Sequence, residues 1–191
     1  MLSLQTTEQK RTETPCFRVE HQADGSYRLH VRGKLPIDWI ANLASGLSRN
    51  GLGISRGKVF KEGAMGWHGH IILESTPFSA GPERLDYPGL VRMEAPRSGS
   101  PIAIRNFELR PTEDKGGALY LEIRGEDQFG FLGAFLGRLS FYSLFPVHME
   151  IETVGTRIHD RFWLSGVGGG RPTDAVVAAL GRALEKMTKT D

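Results

Sequence analysis

Residues 119–164 read LYLEIRGEDQFGFLGAFLGRLSFYSLFPVHMEIETVGTRIHDRFWL, and two periodicities meet in them. Leu119, Leu121 and Ile123 alternate with Tyr120, Glu122 and Arg124, which predicts a strand with one buried face. The period then lengthens. Phe129, Leu132, Phe135, Leu136 and Leu139 fall at the spacing of one helix face. Val147, Met149 and Ile151 alternate with His148, Glu150 and Glu152 and open a second strand. A glycine-bearing turn at Thr153–Thr156 leads to a third strand with Ile158, Phe162 and Leu164.

Outward from this stretch, the same pattern occurs earlier in the chain. Residues 27–54, YRLHVRGKLPIDWIANLASGLSRNGLGI, track it at an offset of 119 − 27 = 92. Arg32-Gly33 lies over Arg124-Gly125, Leu43 over Phe135, Leu47 over Leu139 and Ser48 over Ser140. Ile37, Ile40, Leu43, Ala44 and Leu47 supply the first helix, and strands follow at about 53–60 and 65–74. So long a period means two copies of one small domain rather than a solenoid. Val176, Leu180, Ala183, Leu184 and Met187 share a face of a closing helix that Pro172 and Thr173 start. Its counterpart in the first copy falls in 82–93, where Pro88 and Gly89 interrupt it. In front of each copy stands another strand. Phe17 and Val19 precede an Asp24-Gly25 hairpin turn, and Phe107 and Leu109 precede the segment Pro111 to Gly117.

The expected fold is therefore α+β: two ferredoxin-like domains, each an antiparallel sheet with two helices on one face, permuted as ββαββα. The leading strand takes the slot of the usual last one, so no strand is expected after Pro172. Domain one spans 15–95 and domain two 101–191, joined by a linker at 96–100, and residues 1–14 form a solvated tail.

Composition narrows the class. The chain has 191 residues, 39% apolar and 24% charged, which excludes a wholly disordered chain, a collagen and a coiled-coil rod. The net charge of +2 argues against nucleic acid as the main partner. No apolar stretch approaches the roughly 18 residues of a membrane span, so no membrane partner is expected. The single cysteine, Cys16, cannot form an intramolecular disulfide, and a cytoplasmic location follows as the expectation.

The strand-to-helix turn Asp127-Gln128-Phe129-Gly130-Phe131-Leu132 resembles the Asp-Arg-Pro-Gly-Leu-Leu turn of ACT domains, with Gln128 and Phe129 in place of Arg and Pro. Together with the period and the element order, the chain is similar to the tandem ACT modules of bacterial uridylyltransferases and glycine cleavage regulators. That resemblance implies an amino-acid sensor whose ligand binds at this loop, usually where two domains meet. The matching turn of copy one, Leu35-Pro36-Ile37-Asp38, lacks both the Asp and the Gly at their places.

Physical chemistry gives the turn two readings. Free N–H groups at the helix start can hold a carboxylate, and Asp127 can take an ammonium group. Alternatively, Asp127 caps the helix and Gly130 eases packing. The outward strand residues form a second lead. Arg28, His30, Arg32, His68 and His70 make a basic set in copy one, with Arg56 and Lys58 as further candidates, and Tyr120, Glu122, Arg124, His148, Glu150, Glu152, His159, Arg161 and Trp163 a mixed to acidic one in copy two. Either the two faces pair by complementary charge, within the chain or across a dimer, or both are solvated. His68 and His70 lack a third metal ligand fixed by spacing. The glycine-rich run Ser165–Arg171 lacks the ending of a phosphate-binding P-loop.

No catalytic, metal or cofactor constellation emerges, and an enzyme is not expected. The expected function is regulatory. A small ligand, an amino acid, binds at Asp127–Leu132 and at Leu35–Asp38, and the signal passes through association with a second copy or a protein partner. A protein-interaction module without a ligand is the alternative, and nucleic-acid binding by the sheet ranks last.

Overall fold

The computed structural model describes residues 14–63, 65–94 and 102–189. The 96–100 linker and all but the last residue of the 1–14 tail lie outside these. The strands are β1 (Cys16–His21), β2 (Tyr27–Lys34), β3 (Leu52–Glu62), β4 (Gly66–Ser75), β5 (Asn106–Pro111), β6 (Leu119–Glu126), β7 (Phe145–Val154) and β8 (Arg157–Ser165). The helices are α1 (Trp39–Arg49), α2 (Tyr87–Leu90), α3 (Asp114–Gly117), α4 (Phe131–Phe141) and α5 (Asp174–Thr188). All eight strands form one antiparallel sheet in the order β1-β2-β4-β3-β7-β8-β6-β5.

The repeat holds at the level of elements. β2 and β6 start and end 92 residues apart (119 − 27 and 126 − 34), as do α1 and α4 (131 − 39 and 141 − 49). The sheet order reads the same from either edge once each strand is exchanged for its counterpart. After Pro172 comes only α5 among the described residues, with the Thr173 side chain accepting from Val176 N–H as its cap.

The halves meet at β3 and β7, where Arg56, Lys58 and Phe60 lie opposite Glu152, Glu150 and His148. The two open faces thus do not stack on each other within the chain, as one reading of the sequence had them. They join edge to edge into one continuous face. Strands of 11 and 10 residues would otherwise leave long rows of unpaired backbone groups, and pairing them satisfies those groups. On the other face α1 packs on α4. The approach is close at Gly133, where an added Cβ would lie 2.9 Å from the Ser45 amide nitrogen. The buried apolar residues of both halves form one cluster, including Leu29, Leu43, Trp39, Leu121, Phe135 and Phe162.

Four expectations need correction. Ile37 and Phe129 do not lie on the helix faces; they are 55% and 61% exposed, and Trp39 and Phe131 are buried instead. The helices begin two residues later because Gly130 stands before α4 at φ +83°, outside helical conformation, and Asp38 plays the same part before α1. Val147 leaves the strand alternation at a bulge between Pro146 and His148, which sends His148 to the open face. The 82–93 helix is reduced to a 3₁₀ turn at Pro82–Arg84 and the single turn of α2. There Gly89 N–H bonds the Asp86 carboxylate at 3.0 Å and Tyr87 O–H bonds the Pro82 carbonyl at 2.8 Å.

Candidate functional site

The turn between β6 and α4 closes a cavity of about 110 Å³ at the junction of the two halves. All six residues from Asp127 to Leu132 line it. The first half contributes Ala44 and Ser48 from α1, Leu52 to Ser55 from β3, and Glu74 from β4. Ile151, Ile158 and Asp160 complete the wall from β7 and β8.

The backbone holds the turn in place. Asp127 N–H donates to the Thr156 carbonyl at 2.8 Å, and Phe131 N–H to the Gln128 carbonyl at 2.8 Å. Gly130 is left-handed, and a Cβ there would sit 3.1 Å from Ser48 Oγ. Asp127 does not cap the helix. The cap position is Gly130, and no side chain bonds the first turn of α4. The leading N–H groups of a helix have no partners inside it, and Leu132 and Gly133 lie on the cavity wall.

Carboxyl groups line the cavity. Asp160 is 1% exposed and faces the helix-covered side of the sheet, between Ile158 and Phe162. Its Oδ1 accepts from Glu152 N–H at 3.2 Å, the one hydrogen bond its carboxyl makes among the described residues. Burial first, then the nearby Asp127 carboxylate, pushes its pKa up to about 7, against the opposing Glu152 bond. Asp127 is also raised, by burial and then by Glu74, while its hydrogen bond from the Gln128 backbone works the other way. None of Glu74, Asp127 and Asp160 forms an ion pair among the described residues. The cavity therefore sets three uncompensated carboxyl groups against the positive end of a helix.

The counterpart turn is built differently. Leu35, Pro36, Ile37 and Asp38 lie outside this cavity, and Leu35 is 3% exposed. Cross-strand pairing identifies what fills the equivalent space. Asp160 pairs with Ile123, and Gly69 pairs with Val31, which is 123 − 31 = 92 residues earlier. Gly69 is thus the counterpart of Asp160, and by the same register Trp67 is that of Ile158. Trp67 packs edge-on against Trp39 at 5.3 Å, so two indoles occupy the first half's version of the site.

Among the described residues no three His, Cys, Asp or Glu side chains group to hold a metal ion. His68 and His70 share their face with other cations: burial lowers the His70 pKa, and Arg28, His30, His68 and Lys58 lower it further. Asp160 is the residue that sequence reasoning passed over. Its signal was a charge at a core position, in the alternation Ile158, Asp160, Phe162, Leu164. No family model matches the chain, and neither a curated protein nor a solved structure matches it.

Proposed function

We propose that the protein is a non-catalytic regulator that binds a free amino acid in the cavity between its halves. The observation that carries this reading is the pairing of opposite polarities across one small space. Asp160, Asp127 and Glu74 offer carboxyl groups to an ammonium, and the first turn of α4 offers N–H groups to a carboxylate. A zwitterion of amino-acid size satisfies both. Each half is read as a permuted ACT-like, ferredoxin-like domain, and the element order supports this. The ligand touches α1, β3 and β4 from one half and the turn from the other, so its binding energy depends on how the halves sit. Output passes through association with a second copy or a protein partner, in the cytoplasm.

A thermal-melt screen of free amino acids against the whole chain tests the reading. A ligand at about 100 times its Kd adds roughly 2.7 kcal/mol to stability. The shift should vanish in Gly130→Trp, whose indole would enter the space beside Ser48. A chain that responds to no amino acid would favour the interaction module. The first half's turn, filled by Trp39 and Trp67, already has that character.

A further inference from the structure

The cavity at the junction of the halves holds more acid than a neutral amino acid can answer. Glu74, Asp127 and Asp160 line it, and no Lys, Arg or His does among the described residues. The three feel one another: Asp127 raises the Asp160 pKa, and Glu74 raises that of Asp127. A neutral amino acid brings one ammonium group, and its carboxylate goes to the first turn of α4. Two of the three carboxyl groups then stay without a cation, and like charges held together oppose each other's ionisation.

The three also differ in depth. Glu74 and Asp127 are exposed, whereas Asp160 is 1% exposed and still borders the cavity. Its Oδ1 takes the Glu152 N–H, and its Oδ2 has no hydrogen bond among the described residues. Leu52, Ile54, Ile151 and Ile158 make up an apolar part of the same wall. Ile158 stands two residues before Asp160, on the same face of β8. A carboxylate buried among such residues is costly unless a cation reaches it. A chain of methylenes ending in an ammonium group suits that wall, because its stem buries apolar surface while its head carries the charge.

We infer that the ligand of this cavity is an amino acid with a cationic side chain, of the lysine or ornithine kind; the inference rests on the amino-acid reading above and narrows it. The side-chain ammonium pairs with Asp160, and the methylenes pack on Leu52, Ile54, Ile151 and Ile158. The α-ammonium meets Asp127 and Glu74, and the carboxylate takes the Leu132 and Gly133 N–H groups. The first half is consistent with this pairing of charge and space. Gly69 stands there in the place of Asp160, and Trp39 and Trp67 fill the room a side chain would need.

The test is a calorimetric titration of the whole chain with lysine, ornithine, norleucine and cadaverine. Norleucine is lysine's carbon chain without the side-chain ammonium, and cadaverine is lysine without its carboxylate. Lysine or ornithine should bind roughly tenfold or more tighter than norleucine, and cadaverine more weakly than either. Asp160→Asn keeps an oxygen for the Glu152 N–H, and it should cut the preference for lysine over norleucine about tenfold. Norleucine binding as tightly as lysine and ornithine would overturn this inference and leave the amino-acid reading standing. An unchanged preference in Asp160→Asn, or cadaverine matching lysine, would overturn it as well. No binding of these compounds or of any other free amino acid up to about 10 mM would remove the amino-acid reading and this inference with it.

Discussion

Asp160 carries more of the protein's pH response than any surface charge. Its carboxyl holds a proton to about pH 7 in the fold and releases it near the ordinary 3.8 when unfolded. Between those values the folded chain binds more protons, so this residue's contribution to stability declines as pH rises from about 4 to 7 and stays reduced above. The cost at pH 8 is on the order of 4 kcal/mol at most. Asp160→Asn should remove it: melting followed at pH 5 and pH 8 should show the variant gaining on the wild type at the higher pH. Equal pH profiles would mean the carboxyl ionises freely. An ammonium ligand favours the charged form, so amino-acid affinity should rise roughly tenfold from pH 6 to pH 8. Gly130 and Asp127 were visible in the sequence as a turn before a helix. Asp160 was not, because an alternation argument counts apolar residues and skips the one position that breaks the rule.

At the scale of elements, most of what failed to show in the sequence lies at boundaries and irregularities. The alternation of β2 and β6 and the inner faces of α1 and α4 were legible, since burial repeats with the element's own period. The helix starts were not, because Ile37 and Phe129 happen to fall in phase with the face they do not join. The bulge at Val147 was hidden too, since one extra residue leaves composition unchanged. Two substitutions test the packing. Gly133→Leu would drive a side chain into the Ser45 backbone and should destabilise the fold by about 1–3 kcal/mol in chemical denaturation. A smaller loss would mean that α1 and α4 separate easily. Trp67→Ala empties space beside Trp39, with an expected cost of about 3–5 kcal/mol by the same measurement. If that variant instead gains amino-acid binding at Leu35–Asp38, the first half is a filled copy of the second half's site.

For the whole molecule, the repeat was legible but the way its copies join was not. Charge on the outward residues invited a face-to-face pairing, and the chain used the strand edges instead. Sequence shows which face of a strand is apolar; it does not show which edge is taken. The joint predicts shared stability. A fragment of residues 102–189 alone would expose the β7 edge and the inner side of α4. It should run on size exclusion as a dimer or larger species, with β7 paired to a second copy. A well-folded monomer would show that each half is self-sufficient.

The outermost strands, β1 and β5, are only six residues long, and both carry salt-bridged charges, Arg18 with Glu20 and Arg110 with Glu108. β5 also ends on Pro111, which has no N–H to give. A sheet with two bare margins can polymerise, each molecule adding to the last like planks laid side by side. Here both margins are short and studded with charge, so the ribbon stops at eight strands and growth into fibres is discouraged.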